Sequence, residues 1–128
     1  MASVLDLSLS EVASRLADGR LRARALTEEI QSRHDPALNA YKTWAPDFAL
    51  RQADAADAAF AAGVRLGALQ GIPVSVKDIY GVADLPTFAG SPRELPTCWR
   101  REGPVVRTLR NQIAIITGKA HTDRKSVV

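Results

Sequence analysis

A lysine and an aspartate follow directly on a short apolar run of the sequence. Residues 72–76 are mainly apolar and β-branched, and Gly71 precedes them, so this run predicts a strand buried in a sheet. Lys77 and Asp78 would then lie at the carboxyl end of the strand, where open α/β sheets bind their ligands. A lysine acts as a base only while its amine is neutral, and burial can lower the lysine pKa from about 10.4 toward neutrality. Lys77 is therefore a candidate base.

Structural explanations of the same residues stay open at this point. A lysine on an edge strand discourages pairing between sheets, and this would explain Lys77 without any chemistry. Asp78 is better suited to accepting hydrogen bonds from loop backbone than to acid or base chemistry. Glycine and proline recur from Tyr80 onward, at positions 81, 86 and 90, so we expect an irregular loop over this edge of the sheet.

Two stretches around Lys77 together resemble the opening of the amidase signature family, the serine hydrolases that cleave amides. The first is Gly-Ile-Pro-Val-Ser-Val-Lys-Asp at residues 71–78, and the second is Leu-Pro-Thr-Phe-Ala-Gly-Ser at residues 85–91. Either stretch alone is weak, whereas their combination is specific. The resemblance extends over residues 5–122 through shorter segments, at residues 38–41, 102–106, 109–110 and 118–122.

The resemblance implies an activity and a role for Lys77. In the family, the matching lysine takes a proton, through a bridging serine in a cis peptide, from a second serine that attacks the amide carbonyl. The chemistry is acyl transfer through a covalent ester, with backbone amides stabilising the oxyanion, and it needs no metal and no organic cofactor. Thr87, Gly90 and Ser91 become candidates for the wall of the acyl pocket, although turn formation is the simpler explanation of all three.

The remaining residues with reactive side chains give weaker indications. His34 precedes a proline turn and is expected to be exposed, whereas His121 follows the last strand and could face the site. Cys98 is expected to be an unreactive loop or pocket residue, because nothing specific nearby would lower the pKa of its thiol. Two histidines and one cysteine, far apart in the sequence, do not have the spacing of a metal site. Lys119 is expected at a strand end near the site.

Helical and strand periodicities describe the elements that would position Lys77. Ser8 and Glu11 form a predicted capping box, and Gly19 ends the helix that follows. Further helices are predicted at residues 22–33, 46–63 and 105–111, and strands at residues 38–43, 72–76 and 113–117. A strand, a crossover helix and a strand imply a parallel pair with a right-handed connection. The expected fold is α/β, the incomplete N-terminal part of the α/β/α sandwich of amidase signature enzymes, with about three strands of its mixed sheet.

Composition argues against several classes of protein. The 128 residues are 46% hydrophobic and 24% charged, as in ordinary globular proteins, so disorder is not indicated. The net charge of +3 is modest and the arginines are scattered among acids, which argues against nucleic-acid binding. The apolar runs are too short for a membrane span, and the start of the chain does not resemble a signal peptide. A single cysteine excludes an internal disulfide, and we expect a cytoplasmic protein.

The expected domain boundaries follow from the resemblance. Residues 1–122 would form the N-terminal part of an amidase domain, and residues 123–128 a non-homologous tail that matches the translation of a common sequencing adapter. The glycine- and serine-rich segment that supplies both serines in the family is expected after residue 122. The chain would then supply only the catalytic lysine, and we expect it to be inactive and poorly soluble by itself.

The sequence leaves three functions open. The first is an amidase that cleaves carboxylic amides of small molecules. The second, in the same family, is the amidotransferase component that releases ammonia from glutamine for transfer-RNA charging. The third is a short non-catalytic protein with an interaction role. The substrate and the oligomeric state do not follow from the residues.

Overall fold

The computed structural model describes residues 3–122, so the predicted tail at residues 123–128 lies outside the described part of the chain. The described helices and strands are α1 Leu9–Asp18, α2 Ala23–Ser32, β1 Tyr41–Trp44, α3 Pro46–Ala61, β2 Pro73–Lys77, α4 Pro104–Asn111 and β3 Ile115–Ala120. Short 3-10 helices lie at Val4–Asp6, Pro36–Leu38 and Thr97–Arg100. None of the described helices has the length and apolar character needed to cross a membrane.

The sheet is mixed, with β3 between β1 and β2. β2 runs parallel to β3 and α4 lies in the connection between them, which confirms the predicted parallel pair. β1 pairs with β3 in the antiparallel direction, so β1 and β2 are the edges of the described sheet. The predicted α/β class, with three strands of a mixed sheet, is confirmed.

Apolar clusters cover both faces of the sheet, because successive residues of a strand point to opposite sides. Ile115 of β3 is fully buried in a cluster formed with α1, α2 and α3. Ile116 belongs to a second cluster, with Val76 of β2 and Val106 of α4. Small side chains on α3 allow this helix to pack closely; the buried alanines of α3 are Ala49, Ala53 and Ala56. Helices α1, α2 and α3 therefore pack on one face of β3. Helix α4 and the loop after β2 pack on the other face.

α1 begins and ends where the sequence predicts, but without the complete capping box. The Ser8 hydroxyl accepts the Glu11 N–H at 3.2 Å. The Glu11 carboxylate pairs with Arg15 at 3.0 Å instead of returning to the backbone of Ser8. Gly19 ends the helix in the left-handed region, with a φ of 85°. The predicted ends are confirmed, and the predicted reciprocal half of the box is wrong.

The first strand begins later than predicted. Proline starts the 3-10 helix at Pro36–Leu38, where the Asp35 carboxylate caps a free backbone N–H. Asn39 then adopts a left-handed conformation, with a φ of 50°, which no strand backbone allows. The strand predicted at residues 38–43 is therefore found at Tyr41–Trp44.

His34 is half-buried rather than exposed, so the expectation for this residue is wrong. Its ring stacks on the Trp44 ring, with centroids 3.9 Å apart and planes within 9° of parallel. The Tyr41 ring meets His34 edge-on, at 5.9 Å. The aromatic side chains of β1 cover His34, and the local proline turn gave no sign of this contact.

β3 starts and ends later than predicted. Ile113 has a φ of 56°, which strand backbone excludes, so it belongs to the turn after α4. The strand predicted at residues 113–117 is found at Ile115–Ala120 and continues through Gly118 and Lys119. Lys119 is therefore the last residue but one of the central strand, so its expected place at a strand end is confirmed, within the strand rather than after it.

Gly118 brings β1 and β3 into close contact. A Cβ at this position would overlap the Thr43 carbonyl oxygen and lie 3.0 Å from Tyr41 Cδ1. We expect Gly118→Ala to lower the free energy of unfolding by about 1–3 kcal/mol, because the strands must bend or separate to admit a methyl group. The control is Gly103→Ala, where nothing lies within 4 Å of the added Cβ. Urea unfolding measures both free energies, and an equally small loss in both variants would contradict the close contact.

Candidate functional site

Lys77 is the last residue of β2, so its predicted place at the carboxyl end of a strand is confirmed. Val76 is buried, whereas Ser75 and Lys77 are exposed, because successive side chains of a strand point to opposite faces. β2 is an edge of the described sheet with one covered face, so the prediction of a strand buried in the sheet is wrong for the described residues. The loop after β2 packs on the face of Val76, which forms a cluster with Val82. Within the described residues, this loop therefore leaves the Lys77 side chain uncovered.

Asp78 points away from solvent and is buried, with 1% of its surface exposed. Its N–H donates to the Ala120 carbonyl at 2.9 Å and extends the pairing of β2 with β3 by one step. Its Oδ2 accepts the N–H groups of Phe88, at 3.0 Å, and Ala89, at 3.2 Å. The predicted role of Asp78, accepting hydrogen bonds from loop backbone, is confirmed.

Lys119 is a second buried charge, near the carboxyl end of the central strand, and its side chain is fully enclosed. Its Nζ lies 2.9 Å from Asp78 Oδ1. The ammonium donates hydrogen bonds to the Pro86 carbonyl, at 3.2 Å, and to the Thr87 hydroxyl, at 3.1 Å. Asp78 Oδ1 accepts no directed hydrogen bond from the described residues, so its contact with Lys119 is a charge pair. We call Asp78, Thr87 and Lys119 the buried charge cluster.

Thr87 faces this cluster rather than solvent, with 2% of its surface exposed. Its hydroxyl accepts from Lys119 and donates to the Trp99 carbonyl at 3.1 Å. Its own carbonyl accepts the Leu95 N–H at 2.8 Å. The hydroxyl thus connects β3 with the loop, and a place for Thr87 in an acyl pocket stays a prediction.

Gly90 and Ser91 lie beside a polar recess of about 110 Å³ at the carboxyl edge of the sheet. The residues that line it are Lys42, Asp78, Phe88, Gly90, Ser91, His121 and Thr122. Gly90 has a φ of 80°, and the Ser91 N–H donates to the Phe88 carbonyl at 2.9 Å, so both residues form a turn. The structure brings Gly90 and Ser91 together with Asp78, whereas Lys77 is not among the lining residues.

The other residues singled out in the sequence lie around this edge. His121 is exposed at the recess, and its Nε2 lies 3.2 Å from Asn39 Oδ1. Cys98 is exposed in the loop, beside Trp99. Among residues 3–122, no three His, Cys, Asp or Glu side chains are grouped as metal ligands. These positions add no reactive group to the buried charge cluster.

The pairing of Asp78 with Lys119 was missed by the sequence analysis. The register places Lys119 next to Val76, on the face that the loop covers. A strand predicted to end at residue 117 stops two positions short of this lysine. Gly118 and Lys119 directly follow the apolar residues of β3. Extending the predicted strand through these two residues would have placed Lys119 beside β2.

Known proteins are similar to this chain over most of its length. It is 48% identical over 119 residues to 2-amino-5-chloromuconic acid deaminase of Comamonas testosteroni, covering 91% of this chain and 26% of the relative. It is 35% identical over 128 residues to the A component of glutamyl-tRNA(Gln) amidotransferase of Thermobifida fusca (strain YX), covering 96% of this chain and 25% of the relative. The chain therefore spans about a quarter of the length of these relatives.

A solved structure and a family model agree with these relatives. The native peptide amidase from Stenotrophomonas maltophilia superposes with a TM-score of 0.78 and 30% sequence identity, covering 90% of this chain and 24% of that one. The family model described as Amidase matches residues 24–127. The chain belongs to the amidase signature family.

Proposed function

We propose that residues 1–122 form the N-terminal part of an amidase that hydrolyses carboxylic amides, with Lys77 as the base that activates a serine. The position of Lys77 supports this most directly, because it ends β2 within the family-like stretch and adjoins the buried charge cluster. Since the chain spans about a quarter of its relatives, we expect both serines from the part of the domain that follows.

The proposed reaction depends on one proton relay. The neutral amine of Lys77 takes a proton from the bridging serine, which takes one from the nucleophilic serine as its oxygen bonds to the carbonyl carbon. The tetrahedral oxyanion, stabilised by backbone N–H groups, collapses and the C–N bond breaks. The relay returns the proton to the leaving amine. Water then attacks the ester and releases the carboxylic acid and the free serine.

Lys77 can act as the base only if other residues enclose its amine. A lysine base needs a neutral amine, and burial is the usual way to obtain one. Ser75 and Lys77 form an uncovered polar strip of β2, on the face opposite the loop. We propose that the remainder of the amidase domain packs over this strip and provides the serine partners of Lys77 there.

Two relatives favour different substrates. The 48% identity with a protein named for the deamination of 2-amino-5-chloromuconic acid supports hydrolysis of a C–N bond in a small organic acid. That compound carries an amino group and no carboxamide, so the acyl-transfer steps above apply to amide substrates and not to it. The 35% identity with an amidotransferase component supports the alternative, release of ammonia from glutamine. The higher identity makes the small-molecule hydrolase our first choice. A non-catalytic interaction role is the third function, and the same experiment tests it.

A chimera tests the function of this segment directly. The matching quarter of the Comamonas testosteroni deaminase is replaced by residues 3–122 of this chain. Release of ammonia is measured with 2-amino-5-chloromuconic acid, with glutamine, and with a panel of primary alkyl and aryl amides. The unmodified deaminase is the positive control, and circular dichroism and thermal melting show whether the chimera folds.

We expect the folded chimera to release ammonia from at least one of these substrates and to lose this activity when Lys77 is replaced. Activity on glutamine alone would favour the amidotransferase alternative. A folded chimera that hydrolyses nothing would contradict the enzymatic function and favour the interaction role.

A further inference from the structure

We propose that Asp78 and Lys119 are positioning residues of the candidate active site, which hold the loop from Thr87 to Ser91 against the end of β2. This inference rests on the proposed function, since it assigns a task within the same reaction. Neither side chain would contact the substrate, because Asp78 is 1% exposed and Lys119 is 0% exposed. They would act through the backbone that they fix.

The buried charge cluster joins the central strand, the end of β2 and two parts of the loop. Lys119 projects from β3 and lies 2.9 Å from Asp78, the first residue after β2. The same ammonium donates to the Pro86 carbonyl and the Thr87 hydroxyl, which lie in the loop after β2. Thr87 in turn donates to the Trp99 carbonyl at 3.1 Å. A shift of the loop relative to the sheet would break several of these contacts at once.

The loop contains a residue in an unfavourable conformation, and Asp78 holds it. Ala89 has a φ of 51°, in the left-handed region that a Cβ disfavours. Its N–H lies 3.1 Å from the Asp78 carbonyl oxygen and 3.2 Å from Asp78 Oδ2. The next two residues, Gly90 and Ser91, line the recess. Asp78 thus fixes the backbone where the loop reaches the recess.

Asp78 also fixes the backbone that bears Lys77. Lys77 pairs with Ala120 in the register of β2 and β3, and the Asp78 N–H donates to the Ala120 carbonyl at 2.9 Å. This hydrogen bond holds the end of β2 on β3 at the residue that also holds the loop. A single residue connects the candidate base to the turn beside the recess. Such connections matter in catalysis, since a misplacement of about 1 Å can cost about 100-fold in rate.

Stability alone is a weak explanation of the buried pair. Two apolar side chains of similar volume often stabilise a protein interior as well as a buried ion pair does, or better. Apolar side chains cannot accept the N–H groups of Phe88 and Ala89, nor donate to Pro86. What the charged pair provides beyond packing is a specified position for the loop.

Two double variants distinguish the effect of holding the loop in position from the effect of the two buried charges. The first combines Asp78→Asn with Lys119→Met, and the second combines Asp78→Leu with Lys119→Met. Both variants remove both buried charges, so neither leaves an unpaired ion. Only asparagine keeps an oxygen that can accept the N–H groups of the loop, and the pair of variants is therefore matched in charge and differs in that acceptor.

Hydrogen exchange in the chimera gives the first measurement. In the leucine variant the Phe88 amide should exchange about tenfold faster than in the asparagine variant, because it has lost its acceptor. The Ile115 amide, which donates to the Ile72 carbonyl at 2.9 Å, should exchange equally in both. Equal exchange at Phe88 would overturn the inference, and so would an equal acceleration at Phe88 and Ile115, which indicates global destabilisation.

Turnover in the chimera gives the second measurement. We expect the leucine variant to have a kcat about 100-fold below that of the asparagine variant, with KM values within about threefold of each other. Displacement of a fixed base and turn lowers kcat without removing substrate contacts, whereas partial unfolding would lower the active fraction and the melting temperature. Equal kcat values for the two folded variants would overturn the inference.

A milder pair of variants keeps the test decisive if the double variants do not fold. Thr87→Ser keeps the hydroxyl that contacts Lys119, and Thr87→Val removes it at similar volume. We expect kcat about tenfold lower for the valine variant, and equal values would overturn the inference. The proposed function fails separately, if a chimera with Lys77→Ala keeps its turnover. The inference fails alone if Lys77→Ala abolishes turnover while the paired variants do not differ.

Discussion

Replacing Lys77 by alanine in the chimera is expected to lower kcat for ammonia release by about 10⁴-fold or more. The change removes the only group of this segment that we assign to proton transfer, and without it the serine relay has no terminal base. Among the described residues Lys77 ends β2 and belongs to neither apolar cluster, so its loss should leave this segment folded. Steady-state kinetics measure kcat, and thermal melting of the same sample confirms folding.

Two further variants show whether the amine or only its charge matters. Lys77→Arg keeps a positive charge, but a guanidinium stays protonated and cannot accept a proton, so we expect it to be as inactive as the alanine variant. Arg51→Met removes an exposed cation from α3, away from the buried charge cluster, and should change kcat less than twofold. Full activity of Lys77→Arg would contradict the base and favour the simpler role, an edge-strand cation that discourages sheet pairing.

Local signals in the sequence were sufficient for most of the fold. Gly19 ends α1 with a positive φ, and Pro46 opens α3 at its first position, so these boundaries follow from single residues. The apolar run before Lys77 gave β2 with an error of one residue, because periodicity and the preceding glycine agree there. Where propensity, pattern and turn chemistry point to the same element, sequence reasoning places that element correctly.

The errors arose where tertiary contacts decide the outcome. The left-handed conformation of Ile113 is unfavourable for a β-branched residue and gave no local signal, so β3 was placed two residues early. The stacking of His34 on Trp44 depends on the position of β1 relative to the end of α2. Both features are set by packing between elements, which single-sequence patterns do not encode.

The candidate site shows the same division. The role of Asp78 followed from its place before a loop, because an aspartate with nearby backbone N–H groups has one common use. Its partner Lys119 lies 41 positions further along the chain, and only the register of β2 against β3 brings the two together. A buried lysine is rare, so composition alone favours exposure. Predicting the Asp78–Lys119 contact therefore requires the pairing and register of the strands, and the positions of the single strands are not sufficient.

Three large apolar side chains near the end of β2 are exposed in the described part of the chain. Ile79, Tyr80 and Trp99 are 50%, 42% and 59% exposed, and all three line a cavity of about 510 Å³ next to the end of β2. Large apolar side chains grouped in this way usually form part of an interface. We propose that these side chains contact a further part of the amidase domain.

Replacing Lys119 alone by methionine is expected to lower the free energy of unfolding of the chimera by about 3–5 kcal/mol. The variant leaves the Asp78 carboxylate buried without its ammonium partner, with only the N–H groups of Phe88 and Ala89 to stabilise the charge. Urea unfolding measures the loss. The surface control is Arg24→Met, because Arg24 pairs with Asp54 at 2.8 Å but is well exposed, and we expect a much smaller loss there.

Adding Asp78→Asn to the Lys119→Met variant should return most of the lost stability. The second change removes the unpaired charge and keeps an acceptor for the loop, so the pair should be strongly non-additive. Additive losses would mean that the two side chains stabilise the fold independently, although they lie 2.9 Å apart. A single variant no less stable than the surface control would contradict the buried charge pair itself, and with it the idea that this pair fixes the loop beside Lys77.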